Sequence, residues 1–249
     1  MKHEESRPQI IRLKETASTN RYMQECLLKG RLPEGSVVVA EYQSAGRGQM
    51  GNVWESDPGL NLTFSTVLYP SNISTGEQFI LSQIAALAVK KTLDAYTDGI
   101  TIKWPNDIYW QDKKICGMLI ENSLMGELIH SSIIGIGLNI NQLFFSNKAP
   151  NSVSLYHITG KKQDKEKILT NIRQKLYHYY LLILQGKDED IRQNYKESLY
   201  RKEGFYAYSD SNGSFEASIQ DIEPTGHLLL QLRSGELRRY AFKEVTYII

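Results

Sequence analysis

The stretch KWPNDIYWQDKKICGMLIE, residues 103–121, decides the fold of this chain. Two apolar runs, IYW and ICGMLIE, are separated by the polar segment QDKK, which predicts a β-hairpin. We place Lys113 and Lys114 at its turn. A strand before the hairpin ends at Trp104, where Pro105 enforces a turn. The stretch therefore predicts short strands in close succession.

Strands alternate with helices over a much longer part of the chain, from about residue 9 to 142, which is typical of a mixed α/β domain. The segment STNRYMQECLLKG opens with hydroxyl residues suited to N-capping and closes on Gly30, so we expect a helix over residues 19–29. Alanine and leucine at helical spacing predict a second helix over 76–96. The other apolar runs predict strands at 36–42, 60–68, 99–104, 108–110, 114–121 and 128–136.

The rest of the chain has a different character. Residues 161–198 are charged, with apolar positions every three or four residues, and are predicted to be a helical segment that covers one face of the sheet. Residues 199–249 predict short strands of a small β-barrel, because turn residues break them repeatedly. We therefore expect an α/β (α+β) fold with a mixed-sheet domain, residues 1–197, and a small β domain, residues 198–249.

Composition excludes several classes of protein. The 249 residues are 41% hydrophobic with a net charge of +1, which fits neither a disordered nor a fibrous chain and lacks the basic footprint of a DNA-binding domain. Cys26 and Cys116 lie in apolar contexts without partner spacing, which indicates reduced thiols and a cytoplasmic location. We expect neither secretion nor a membrane span, because no apolar run approaches 18 residues.

Four motifs could carry chemistry. In the first, Lys103-Trp104-Pro105-Asn106-Asp107, a structural turn would explain Pro105 and Asn106 but not the lysine and tryptophan before them. Gly46-Arg47-Gly48 follows an apolar strand and holds a cation between residues that let a ligand approach the main chain, although a plain surface loop would look the same. Lys114 could equally be a solvated hairpin charge. The run GIGLNIN, residues 135–141, could be an apolar strand that leads into a loop.

The order of these motifs resembles the biotin protein ligase family over most of the chain. The segments that carry the resemblance are Ser18-Thr19-Asn20, then Glu41-Tyr42-Gln43 with Gly46-Arg47-Gly48, Gly51 and Trp54, then KWPNDIYWQDKKICGMLIE, then GIGLNIN. The C-terminal β segment, with its run Gly226-His227-Leu228-Leu229-Leu230, is similar to that family's small SH3-like domain.

The resemblance implies a reaction in two steps. Biotin and ATP, supplied with Mg²⁺, form biotinyl-5′-AMP and pyrophosphate, and the acyl group then passes to one lysine of a biotin carboxyl carrier protein. That carrier belongs to acetyl-CoA carboxylase or a related carboxylase. We assign no residue of the chain as a metal ligand, and a homodimer is possible.

The first step sets the biotin carboxylate against the α-phosphate, so cations must reduce the repulsion of two anions. Arg47 and Lys114 are the candidates, since arginine grips phosphate oxygens with a planar fork and lysine acts as a mobile point charge. Asp107 is the third candidate catalytic residue. It could orient a lysine, bind magnesium or serve as a base.

The resemblance also implies a set of substrate contacts. Polar groups at the start of the first helix and Gln43 meet biotin, Gly117 forms a backbone wall, Trp54 builds the adenine side and Asn139 contacts the nucleotide. A helix cap at Ser18 and Thr19, or a core role for Trp54, remains the alternative. The complete set of candidate binding residues is Ser18, Thr19, Asn20, Gln43, Gly46, Arg47, Gly48, Gln49, Trp54, Lys103, Asn106, Lys114, Gly117 and Asn139.

The chain departs from the family pattern in two places. Gln49 stands where the family commonly has a second arginine, which weakens the grip on the intermediate unless Lys113 or Lys103 compensates. Some members also carry an N-terminal winged helix-turn-helix that makes them repressors, and about fifteen residues precede Thr16 here. We therefore expect the monofunctional form, without nucleic-acid binding.

Two other functions remain open. A lipoate-type ligase also adenylates a ring-bearing carboxylic acid on a related fold, and a noncatalytic protein could bind biotinyl-adenylate as a sensor. The segment KWPND and the Gly46-Arg47-Gly48 loop favour biotin, while Lys114 and the C-terminal segment favour catalysis.

Overall fold

The structure is a computed structural model that describes residues 7–70, 72–146 and 151–249. The predicted catalytic domain starts at residue 1, and residues 1–6 lie outside this description. The predicted α/β architecture is confirmed, with a seven-stranded mixed sheet followed by a five-stranded antiparallel sheet.

The large sheet has the order β1-β2-β3-β7-β6-β5-β4, and its pairs are antiparallel except for β1 with β2. The central position of β7 is a result of topology that no single segment predicts. The strands are β1 (Ile10–Thr16), β2 (Val37–Gln43), β3 (Leu62–Leu68), β4 (Ile100–Lys103), β5 (Asp107–Trp110), β6 (Lys113–Met125) and β7 (Leu128–Leu138).

Five helices accompany this sheet in the described residues: α1 (Thr19–Lys29), α2 (Phe79–Leu93), α3 (Leu155–Thr159), α4 (Lys165–Leu184) and α5 (Glu189–Glu197). The prediction of a helix over 19–29 is confirmed, and that over 76–96 is confirmed with a shorter extent. The charged segment 161–198 divides into α4 and α5, because Gly186 takes a positive φ of 70° between them. α2 packs against β4, β5 and β6, and α4 forms an outer layer on α2.

The two faces of the large sheet carry different side chains, because neighbours along a strand point to opposite faces. In β3, Leu62 and Phe64 join the core around α2, whereas Val67 packs on the other face with Met23 of α1. α1 covers only part of its face. The uncovered part carries small and polar residues and forms the candidate site.

The hairpin of residues 103–121 is confirmed, but its predicted turn was wrong. Gln111 and Asp112 form the turn, and Lys113 and Lys114 are the first residues of β6. Gln111 takes a positive φ of 51°, which allows a two-residue connection. Lys114 is therefore held by strand pairing, with its N–H donating to Asn151 O at 2.8 Å.

The small sheet has the order β11-β10-β9-β8-β12 and matches the predicted SH3-like topology. Its strands are β8 (Tyr206–Asp210), β9 (Gly213–Ile222), β10 (Leu228–Leu232), β11 (Leu237–Tyr240) and β12 (Thr246–Tyr247). The predicted boundary at 197/198 falls directly after α5, and it stays a prediction because Ser198 and Tyr200 still bond to Ile102 of β4.

The two sheets share one hydrophobic cluster. Trp104 Nε1 donates to Gly226 O at 2.8 Å, and the Trp104 ring lies 6.3 Å from the ring of Phe242. These contacts hold the segment 242–247 against the large sheet, beside its uncovered face. Within the described residues, no helix combines the length and apolar character needed to cross a bilayer.

Candidate functional site

A cavity of about 450 Å³ opens where α1 begins, between the large sheet and the segment 242–247. It brings together most of the predicted site residues. Those that line it are Ser18, Thr19, Asn20, Gln43, Arg47, Gly48, Gln49, Trp54, Lys103, Asn106, Asp107, Lys114 and Gly117. Of the predicted set, Gly46 and Asn139 do not line this cavity.

A chain of polar contacts runs along the start of α1. Gln43 Oε1 accepts from the Thr19 N–H at 2.8 Å, and the Ser65 hydroxyl lies 2.7 Å from Thr19 Oγ1 and 2.6 Å from Asn20 Oδ1. Ser18 is 4% exposed and makes no capping hydrogen bond with its side chain, so a cap does not account for it. Ser65 was not among the predicted residues.

Glu121 joins this chain to the glycine-rich loop. Its Oε2 accepts from Asn20 Nδ2 at 2.7 Å and from Arg47 Nη2 at 3.1 Å. Glu121 points to the same face as Gly117, because both lie at alternate positions of β6. The predicted cation Arg47 is therefore paired with a carboxylate at the edge of the cavity, a partner that the sequence did not indicate.

The glycine-rich loop is closed by its own backbone. Gly48 N–H donates to Asn52 O at 2.6 Å, and Trp54 N–H donates to Gly46 O at 2.9 Å. A side chain at Gly46 would collide with the carbonyl of Trp54, so this position requires glycine for close approach. Gln49 lines the cavity between these contacts, and its Oε1 is buried with no hydrogen-bond partner among the described residues.

Trp54 lies on a floor of two glycines. Gly117 of β6 and Gly137 of β7 are directly paired, a side chain at Gly117 would come within 3.2 Å of the indole, and one at Gly137 would collide with it. Trp54 Nε1 is buried and has no acceptor in the described part of the chain. The floor thus explains why glycines recur in an otherwise apolar strand.

A second cavity, of about 500 Å³, lies on the other side of Trp54 and includes Lys114 and Asn139 in its wall. Asn139 Nδ2 donates to Val153 O at 3.2 Å, which fixes the orientation of the amide. Its Oδ1 is buried and lacks a donor among the described residues. The second cavity therefore offers an acceptor, while Trp54 and Lys114 border both cavities.

The cations of the first cavity each have defined partners. Lys114 Nζ lies 2.7 Å from Asp107 Oδ1 and 5.9 Å from the Trp54 ring. Lys103 Nζ lies 4.6 Å from the Tyr247 ring, and burial lowers the pKa of its ammonium group. Two lysines, Lys113 and Lys103, were expected to compensate for Gln49. Of these two, Lys103 lines the cavity and Lys113 does not.

Asn106 makes two hydrogen bonds beside the cavity that stabilise the local structure. Its Nδ2 donates to Met118 O at 2.5 Å, and its backbone O accepts from the Met118 N–H at 3.0 Å. These bonds tie the segment before β5 to β6 and so hold Asp107 opposite Gly117. A substrate contact for Asn106 stays a prediction.

Several lining residues were not predicted from the sequence. Gly135 faces Asn20, and a side chain there would collide with the Asn20 amide. The alternation of glycine and isoleucine in GIG was the available signal, since it marks one face of a strand for close approach. The small sheet adds Phe242, Lys243, Val245, Thr246 and Tyr247, for which the sequence holds no local signal.

In the parts of the chain that the structure describes, no three His, Cys, Asp or Glu side chains are grouped so that they could hold a metal ion. The polar groups that line the site are mainly amides, hydroxyls, backbone groups and cations, which suit a polar organic ligand with anionic groups.

Comparison with known proteins identifies the family of this chain. A model of the biotin/lipoate A/B protein ligase family matches residues 13–139. The bifunctional ligase/repressor BirA of Bacillus spizizenii is 32% identical over 232 residues, covering 86% of this chain and 67% of that protein. The human biotin--protein ligase is 33% identical over 131 residues, covering 50% of this chain and 18% of that protein.

The fold leads to the same group of proteins. The structure of a biotin protein ligase from Aquifex aeolicus in complex with biotin and ATP superposes with a TM-score of 0.78 and 26% identity. The match covers 96% of this chain and 97% of that one. The predicted resemblance is thereby confirmed, and this chain belongs to the biotin/lipoate A/B protein ligase family.

Proposed function

We propose that this chain is a biotin protein ligase. It activates biotin with ATP to biotinyl-5′-AMP and transfers the biotinyl group to a lysine of a biotin carboxyl carrier protein, from acetyl-CoA carboxylase or a related carboxylase. The observation that carries this proposal is the pair of adjoining cavities, which share Trp54 and Lys114. The arrangement provides room for a ring-bearing acid and a nucleotide with the reacting groups at their junction.

The first cavity suits biotin. A ureido group needs both donors and acceptors, and the start of α1 with Gln43 provides both types within one connected chain. Leu119 and Ile136 add apolar surface for the ring and the acyl chain. Ser65 and Glu121 hold the polar groups in place and so reduce the entropy lost on binding.

The second cavity suits the adenine end of ATP. The fixed Asn139 amide presents Oδ1 as an acceptor, which a base with an exocyclic amine satisfies. Lys114 borders both cavities and Arg47 lines the biotin cavity, so both cations are available where the carboxylate meets the α-phosphate. We propose that Mg²⁺ enters with the ATP phosphates, because magnesium commonly binds through substrate phosphates.

Asp107 has three possible roles, and the ion pair supports one of them. At 2.7 Å, its carboxylate fixes the direction of the Lys114 ammonium group before ATP arrives. A positioned cation contributes more to transition-state stabilisation than a freely moving one, because no reorganisation is required at the moment of reaction. We propose that Asp107 orients Lys114.

Biotin-dependent exchange of pyrophosphate into ATP tests the function. The ligase must catalyse exchange only when biotin is present, and MgATP with a biotin carboxyl carrier domain must then yield biotinylated carrier. A lipoate-type ligase would respond to lipoate instead, and a noncatalytic binder would catalyse no exchange with either acid. Either result would overturn the proposal.

The glycine-rich loop should become more ordered when the adenylate binds. Backbone bonds of Gly48, Asn52 and Trp54 hold part of it, and ordering each remaining residue costs about 1–2 kcal/mol. Amide exchange across residues 44–53 is expected to slow strongly with biotin plus ATP, while amides of α2 stay unchanged. Equal exchange in both states would identify a preformed turn.

We expect no sequence-specific DNA binding by this chain. Its net charge of +1 leaves little counterion release to drive association with a duplex. Binding titrations against a defined duplex are expected to show at most weak, salt-sensitive association. Nanomolar affinity at physiological salt would contradict this expectation.

The proposed reaction and the two free thiols favour a particular cellular location. We propose a cytoplasmic location, where carboxylase carriers and ATP are present and where the free thiols of Cys26 and Cys116 stay reduced. Cys116 is buried, and burial raises the pKa of its thiol, so it stays unreactive beside the cavity. A homodimer remains open.

A further inference from the structure

Lys243 occupies an unusual backbone position in the wall of the first cavity. It lies in the turn between β11 and β12, next to Phe242, and lines the cavity from the side of the small sheet. Its φ is 71°, in the left-handed region that glycine adopts without strain. A lysine with a side chain at this position is therefore retained against a local conformational cost.

Three non-glycine residues with positive φ occur in the described chain: Gln111, Arg201 and Lys243. Only Lys243 lines the cavity. Strained residues of this kind cluster at ligand sites, where the side chain has a task that glycine could not perform. The backbone thus points to a function for the Lys243 side chain.

The charges around the cavity indicate what that function is. Arg47 is paired with Glu121 at 3.1 Å, and Lys114 is paired with Asp107 at 2.7 Å. These two carboxylates repel an incoming phosphate, so each pair contributes less than one full positive charge. Position 49, on the loop, carries a neutral glutamine. Lys103 also lines the cavity, but burial lowers the pKa of its ammonium group, so a further cation would strengthen the binding of an adenylate or ATP here.

We propose that Lys243 is a phosphate-binding residue, contributed by the small sheet, that contacts the phosphate of biotinyl-5′-AMP. The proposal rests on the proposed function, since it names a further residue for the same intermediate. Lys243 lines the cavity within the segment 242–247, so it is placed to provide the charge that the loop lacks at Gln49. The small sheet thereby takes part in holding the intermediate.

The test compares the dissociation rate of biotinyl-5′-AMP from wild type and Lys243→Gly. Glycine accepts a φ of 71° without strain, so the variant should keep its fold and its thermal midpoint. Release is expected to be about three- to tenfold faster, with a weaker dependence on salt because one ion contact is lost. Lys243→Arg retains the charge and should release the adenylate at nearly the wild-type rate.

Gln111→Gly is the matched control, because it relieves the same kind of backbone strain at a turn outside both cavities. It should leave the dissociation rate unchanged. A second variant, Lys243→Gly combined with Gln49→Arg, should restore slow release by placing the charge on the loop instead.

The outcomes separate this proposal from the proposed function. If wild type catalyses biotin-dependent exchange but Lys243→Gly releases the adenylate at the wild-type rate and with wild-type salt dependence, Lys243 does not contact the phosphate. Equal acceleration in Lys243→Gly and Lys243→Arg would likewise assign the effect to packing and overturn the proposal. Absence of exchange in wild type would overturn both.

Discussion

Lys114→Ala is expected to lower the rate of biotin-dependent pyrophosphate exchange by about 10²–10³-fold, the loss typical when one preorganised group at a developing charge is removed. Lys114 borders both cavities and is aimed by Asp107. The alanine variant leaves the biotin carboxylate and the α-phosphate to approach each other with one cation fewer. Transfer from pre-made biotinyl-5′-AMP to the carrier should persist at least in part, because that step follows adenylation.

The stability of this variant needs a control, since Lys114 lies in β6 and its ion pair with Asp107 is partly buried. Loss of such a pair costs about 1 kcal/mol, which corresponds to a decrease of a few degrees in the thermal midpoint. Combining Lys114→Ala with Asp107→Asn removes the unpaired carboxylate and should recover stability without recovering exchange. Unchanged exchange in Lys114→Ala would reduce this residue to a solvated surface charge.

Gln49→Arg is expected to slow the dissociation of biotinyl-5′-AMP by roughly ten- to a hundredfold, which corresponds to one charge-assisted hydrogen bond of about 1.5–3 kcal/mol. Gln49 lines the cavity, and its buried Oε1 has no partner among the described residues. A guanidinium group at this position therefore faces the intermediate instead of solvent. Higher salt should reduce the gain, though less than for an exposed pair.

Dissociation rates of the adenylate at low and moderate salt check this prediction. Gln111→Arg provides the matched control, because it adds the same charge at a turn outside both cavities and should change the rate little. If Gln49→Arg behaves like this control, position 49 does not contact the intermediate. Lys103, which lines the same cavity, would then already provide the charge.

The sequence predicted elements whose signals are local. The helix α1 starts after Ser18 and ends before Gly30, as the hydroxyl residues at its start and the glycine at its end predicted, although the Ser18 side chain makes no capping hydrogen bond. The turn of the hairpin was misplaced because Gln111 adopts a conformation that glycine or asparagine usually marks. The division of the charged segment into α4 and α5 was also missed, although Gly186 was the residue that could have indicated it.

The candidate site was predicted where residues resemble a known pattern, and it was missed where partners come from distant strands. Ser65 and Glu121 support the predicted binding groups, but their hydrogen bonds depend on the pairing of β3, β6 and β7. Lys243 and Tyr247 reach the cavity only because Trp104 and Phe242 join the two sheets. Such contacts follow from topology, which the linear spacing of residues does not express.

The central position of β7 has a consequence for how the protein folds. β7 pairs with β3, and the pair Leu62–Leu138 joins strands that are separated along the chain by α2, β4, β5 and β6. Contacts so distant in sequence form late, because the chain must first lose the conformational entropy of a long loop. The glycine floor of the cavity is therefore completed only when the sheet closes around β7, and a chain halted before that point exposes the apolar surface of α2.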